Sequence, residues 1–187
     1  MGNTLLIIDC GSTKVPLIEQ KLADIDQESV TISWESITSS DAIGYNGIIV
    51  SGAPILITKT NPQPYLDQLK FLRDHPFPIL GICFGHQILG LLYGAKAFEC
   101  EPSRTNMTID KRGESLILSD IDDFSFNQDH CEAIDIPENW IHLASSRVCV
   151  NEAMEHPEKS VFGVQFHPES SGENGTQLLK NFCKSCL

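Results

Sequence analysis

The chain has 187 residues, 41% of them hydrophobic and 20% charged, proportions that suit one globular domain over 1–187 and exclude a disordered chain. Lys and Arg number 13 against 25 Asp and Glu, and the net charge of −12 argues against nucleic acid or an anionic membrane as the main partner. Either would need a positive footprint.

Thr4–Asp9 is a continuous apolar run that stops at the turn Cys10-Gly-Ser-Thr13, the pattern of a strand buried on both faces. Val15–Ala23 has helical periodicity, with Pro16 in its first turn. Val30–Trp34 and Gly47–Val50 read as the second and third strands, the latter stopped by Ser51-Gly-Ala-Pro54. Pro64–Asp74 reads as a helix with Tyr65, Leu66, Leu69 and Leu72 on one side. Pro78–Cys83 is a fourth buried strand, followed by a helix over Phe84–Tyr93 with Gly94 as its C-cap. This alternation predicts an α/β doubly wound sheet. The second half holds short strand-like pieces at Thr105–Ile109, Ser115–Ser119, Phe124–Gln128, Ile141–Ser145 and Val161–Phe166, an antiparallel extension of that sheet. A helix over Gly175–Cys186 closes the chain.

Seven cysteines, irregularly spaced, read as a reduced, cytoplasmic protein whose thiols are mostly small buried hydrophobes. Cys183 and Cys186 form a C-x-x-C, read as neighbours on the last helix rather than a redox or zinc pair, and Cys10, Cys100, Cys131 and Cys149 show no metal-ligand spacing, so neither metal nor cofactor is expected. The N-terminal stretch Met1–Asp9 lacks a basic leader, and the apolar run Ile88–Tyr93 is far too short for a membrane span.

Gly81-Ile-Cys-Phe-Gly85 carries the most chemistry. A buried strand turns into a helix around one nucleophilic residue with glycines two positions either side, the pattern of a nucleophile elbow. Helix N-terminal N–H groups beside the sulfur would favour a thiolate and offer a donor to an oxyanion. A thiolate nucleophile needs a base, and the base needs an orienting group. His167 follows an apolar strand, and Pro168 stiffens the turn that would hold Glu169 beside it. His86 is read as a helix-surface or pocket-wall residue, and Glu152, Glu155 and Glu158 as a solvated acidic face.

Gly81-Ile-Cys-Phe-Gly-His-Gln87 together with Gly163-Val-Gln-Phe-His-Pro-Glu169 resembles the class I, triad-type glutamine amidotransferases. Asp9-Cys-Gly-Ser12, Asp129-His-Cys-Glu132, Leu143-Ala-Ser-Ser146 and Asn151-Glu-Ala-Met154 look most like the glutaminase part of GMP synthetases. The resemblance implies a flavodoxin-like domain in which Cys83 attacks the side-chain amide of glutamine. His167, oriented by Glu169, would protonate the leaving ammonia and then activate water. It implies an oxyanion hole from the N–H groups of Phe84 and Ala53, substrate contacts at Gln87 and Gly52, and no cofactor. The ammonia would pass to an ATP-pyrophosphatase or synthetase subunit supplied in trans, with His130 and Glu132 as coupling candidates and GMP synthesis as the branch indicated.

Four places depart from the family pattern. Ala53 stands where the family has glycine, Ile55 is bulky, Glu132 replaces an aspartate, and Ser103–Asn106 lacks the usual glutamine contact. They imply a low or partner-dependent basal activity. Two alternatives stay open: a hydrolase of other γ-glutamyl amides or peptides, and a catalytically weak binding or regulatory module.

Overall fold

The computed structural model describes residues 3–187; Met1 and Gly2 of the N-terminal stretch read above lie outside them. The first half follows the strand-helix alternation of the sequence. It runs β1 (Thr4–Asp9), α1 (Val15–Ala23), β2 (Glu28–Ser33), α2 (Ser39–Ala42), β3 (Gly47–Val50), α3 (Gln63–Leu69), β4 (Ile79–Ile82) and α4 (Phe84–Leu92). The short α2 escaped the periodicity argument, and a Thr38–Asp41 capping box starts it. The helix expected over 64–74 tightens to 3-10 winding at Lys70–Asp74. Gly94, at φ +89°, follows the end of α4.

The second half contains β5 (Ala97–Ser103), β6 (Asn106–Thr108), β7 (Asp110–Lys111), β8 (Ser125–Asn127), β9 (His130–Ile134), β10 (Ile141–Ser145), β11 (Ala153–Glu155), β12 (Val161–Val164) and α5 (Gly172–Ser185). Ser115–Ser119 is not a strand. The Ser115 hydroxyl accepts from the Ile117 N–H and starts a 3-10 turn over Leu116–Leu118.

Eight strands form one sheet in the order β2-β1-β3-β4-β12-β11-β10-β7. The pairs from β2 to β12 are parallel, and β11, β10 and β7 continue the sheet antiparallel. The antiparallel extension is present but built of β11, β10 and β7: the stretches expected in it at 105–109 and 124–128 pair with each other instead as the ribbon β6–β8, Val161–Val164 joins β4 in parallel, and β5–β9 forms a second ribbon. Side chains of a strand alternate between faces. Leu5 and Ile7 of β1 pack with Val15, Ile18, Leu22, Leu178 and Phe182 from α1 and α5. Leu6 and Ile8 face the other layer, with Ile48, Val50, Phe84, Ile88 and Leu89. Among the described residues no helix is long and apolar enough to cross a membrane.

In an open parallel sheet the loops at the carboxyl ends of the strands form the ligand crevice. Here those ends deliver Asp9–Lys14, Ser51–Thr58, Cys83 and Gln165–Glu169 to one rim.

Candidate active site

Cys83 lies between β4 and α4 with φ 53° and ψ −106°. A non-glycine residue there carries about 1–3 kcal/mol of backbone strain, which the surrounding structure must hold in place. Three features hold it. The Cys83 N–H donates to Val164 O at 2.8 Å, anchoring the elbow to β12. A Cβ on Gly81 would sit 2.6 Å from the carbonyl of Gly85, and one on Gly85 only 2.2 Å from the carbonyl oxygen of Val50. The two glycines therefore serve close packing of the helix start against its own strand and β3.

Register Ile82↔Val164 between β4 and β12 sets the residues that follow on β12 beside the elbow. His167 is buried, and its Nδ1 lies 2.6 Å from Glu169 Oε1. Burial opposes the charged imidazole, but hydrogen bonds to Cys83 and Glu169 outweigh it and raise the group to about 9. Glu169 Oε2 is buried with no partner, so the imidazole is the compensation for that carboxylate. The turn itself is pinned: the His167 N–H donates to Asn127 O at 2.9 Å, and Ser171 Oγ donates to His167 O at 2.6 Å. With Nδ1 committed to Glu169, Nε2 is the ring nitrogen left for the sulfur.

Gly52 closes the opposite side. A Cβ placed there would meet His167 Cε1 at 3.6 Å and Cys83 Cβ at 3.8 Å, so the backbone after β3 runs alongside both side chains. The cleft has two hollows, of about 240 and 120 Å³, which share Ala53, Pro54, Cys83 and Asp129. The larger is also lined by Ile55, Phe84, Gln87, Arg104, His130 and Glu132, the smaller by Ser12, Lys14, Gly52 and His167. Ala53 is absent from the residues with positive φ, which among non-glycines are Asp26, Cys83, Asp120 and Asn139.

Gln87 does not offer its amide nitrogen to the cleft. Nε2 donates to Gln165 Oε1 at 3.1 Å and to Glu132 O at 3.3 Å. Glu132 is likewise turned inward, accepting the N–H of Ile57 at 2.7 Å and of Thr58 at 3.0 Å, which ties the loop after β3 to β9. His130 is buried, Nε2 3.1 Å from Gln128 Oε1 and Nδ1 3.1 Å from Glu132 O; burial lowers it to about 4, so it is neutral.

Two readings of the sequence need correction. His86 is fully buried, not on a helix surface, and burial lowers it to about 3. Glu152 is also buried, not part of a solvated face, because its strand region runs through the sheet; burial raises it to about 7. Sequence reasoning also missed Gln165, Arg104, Lys14 and the side chain of Asp129. Gln165 carried a usable signal, a polar residue inside the apolar run Val161–Phe166. Asp129 receives Lys14 Nζ at 3.0 Å; burial works against its charge, but Lys14, with His167 and Arg104 nearby, holds the carboxyl below its usual range.

The family profile for glutamine amidotransferase class-I matches residues 6–186. The chain is 34% identical to a GMP synthase (glutamine-hydrolyzing) subunit of Methanocaldococcus jannaschii, over 97% of each chain. It is 32% identical to the longer GMP synthase (glutamine-hydrolyzing) of Aliivibrio salmonicida, over 95% of this chain and 35% of that protein. In fold it resembles the crystal structure of a protein described as a GMP synthase subunit from Thermoplasma acidophilum, with TM-score 0.89 and 23% identity over 98% of this chain and 93% of the other. The chain therefore belongs to the class-I glutamine amidotransferase family.

Proposed function

We propose that the chain is the glutaminase subunit of a GMP-forming enzyme: it hydrolyses the side-chain amide of glutamine and passes the ammonia to a separate ATP-pyrophosphatase subunit. One observation carries the chemistry. The His167–Glu169 pair adjoins a cysteine held at positive φ at the start of a helix, in a chain of this family.

The steps balance on that set. The Cys83 thiolate attacks the amide carbon, and the oxygen that gains charge is met by the N–H groups of Phe84 and Ala53. The C–N bond breaks as protonated His167 gives its Nε2 proton to the departing nitrogen, releasing ammonia and leaving a γ-glutamyl thioester. Neutral Nε2 then takes a proton from water, hydroxide attacks the thioester, and glutamate leaves with the thiolate restored. Glu169 holds the ring through Nδ1 in both halves.

A hollow of about 240 Å³ lies below the range of about 300–1,000 Å³ for drug-sized ligands and suits a single amino acid. Its charged lining fits the α-end of glutamine. Arg104 has no hydrogen-bond or ion-pair partner among the described residues and is free to take the α-carboxylate of glutamine; Asp129 keeps Oδ1 for the α-ammonium. We read 1–187 as one domain, on the support of two apolar layers over the two faces of one sheet. Seven free cysteines support a reducing, cytoplasmic setting.

The test is ammonia release from glutamine with and without a GMP synthetase ATP-pyrophosphatase subunit, ATP and xanthosine monophosphate. Release that depends on Cys83 and rises with the complete mixture is expected. Absence of release under both conditions, with Cys83 unlabelled by a glutamine-analogue electrophile, overturns the reading.

A further inference from the structure

Gln165 lies directly after β12, fully buried, and its Nε2 is 3.6 Å from Cys83 Sγ. The orientation of a glutamine amide has to be argued from its partners. Here the chain of partners settles it. The backbone carbonyl of Glu132 accepts only, so the group that Gln87 turns toward it must be the NH₂. The same NH₂ reaches the Gln165 side chain, which must then present its oxygen. The other end of the Gln165 amide, an N–H donor, is thereby directed at the sulfur.

We propose that Gln165 is a catalytic donor to the Cys83 sulfur, and that Gln87 is the positioning residue that locks the Gln165 amide in its donating orientation. A donor aimed at sulfur in a dry site favours thiolate over thiol, because a hydrogen bond to a charged group is stronger than one to a neutral group. The arrangement also assigns Gln87 a task other than gripping substrate. Its amide nitrogen is spent on Gln165 and on Glu132 O, and the Glu132 carboxylate in turn holds the loop at Ile57 and Thr58. The strand that lines the cleft is thus joined to the nucleophile by three consecutive hydrogen bonds.

The inference rests on the nucleophile reading above, and its test separates the two. The probe is iodoacetamide, applied without glutamine, with alkylation of the Cys83-containing peptide followed by mass spectrometry across pH. In wild type, Cys83 is expected to react faster at neutral pH than the other cysteines; if it does not, the nucleophile reading fails. Gln165→Met, similar in length but without a donor, is expected to move the pH midpoint of alkylation up by about one unit and so to slow alkylation roughly tenfold at pH values below the wild-type midpoint. The same variant should lower kcat for glutamine with KM little changed. A wild-type midpoint in folded Gln165→Met overturns the inference while leaving Cys83 as nucleophile. Gln87→Met keeps Gln165 in place but frees its amide to turn, and covers the case in which Gln165→Met does not fold. A smaller upward movement of the midpoint is expected there, and an unmoved midpoint overturns the orientation argument.

Discussion

Ile82 and Val164 are register partners on adjacent parallel strands, and that pairing brings the elbow at Cys83 level with the segment Gln165–Glu169. The hydrogen bond from the Cys83 N–H to Val164 O at 2.8 Å extends the same ladder into the turn. Residues far apart in sequence are thus juxtaposed by a sheet register, which a one-residue slip would destroy.

The backbone at Cys83 stores strain, and substitution separates that strain from chemistry. Cys83→Ala and Cys83→Gly both abolish ammonia release. Of the two, Cys83→Gly is the more stable, by about 1 kcal/mol in denaturant titration, because glycine accepts φ 53° without the Cβ penalty. Equal stabilities would mean that the turn relaxes when the sulfur is removed.

Ala53 keeps the N–H expected at the oxyanion hole but sits outside positive φ. If that N–H reaches the oxyanion only by a peptide rotation into positive φ, alanine opposes the step by roughly 1–2 kcal/mol. Ala53→Gly should then raise partner-free glutaminase turnover by about five- to thirtyfold. An unchanged rate would remove Ala53 as a brake on partner-free turnover.

His167 is raised to about 9 from an ordinary 6.5 by its partners. A group bound more tightly to its proton in the folded chain contributes stability that is fully present below about 6.5 and is lost as pH rises through about 9. Wild type should therefore lose unfolding free energy across that window more steeply than His167→Asn. Chemical denaturation at several pH values measures the difference in slope, and parallel curves would contradict the pairing.

Glycines of different kinds should answer differently to alanine. Gly85→Ala drives a Cβ to 2.2 Å from the Val50 carbonyl oxygen and should cost about 2–3 kcal/mol or prevent folding. Gly94 has open space around its Cβ position, so Gly94→Ala meets only the cost of φ +89°, roughly 1 kcal/mol. Thermal melts of the pair give the ranking.

Arg104 is exposed on the rim of the larger hollow. Arg104→Gln should raise KM for glutamine roughly tenfold with kcat little changed, since binding the α-carboxylate serves ground and transition states alike. An analogue of glutamine without the α-carboxylate should not distinguish the variant from wild type.

The buried parallel strands were legible because continuous apolar runs such as Thr4–Asp9 and Pro78–Cys83 have one structural use. The elbow and the His167 segment were legible because glycine and proline punctuate them at positions the geometry requires. β5 and β11 were not, since the first is mostly exposed and the second is three residues long. Glu152 and His86 were misread because charge and helical spacing predict exposure only when no layer packs over the residue. Arg104 and Lys14 reach the cleft from surface loops, and no local pattern records where such loops fold.

The clasp of Glu132 on Ile57 and Thr58 has one more consequence. Those two bonds fix the far end of the loop after β3, so that wall of the cleft is tethered at β9 as well as at the strand it leaves. A proteolytic cut between Ile55 and Leu56 frees the cleft-lining side of that loop from its tether and should raise KM for glutamine while bulk spectroscopy still registers an intact molecule.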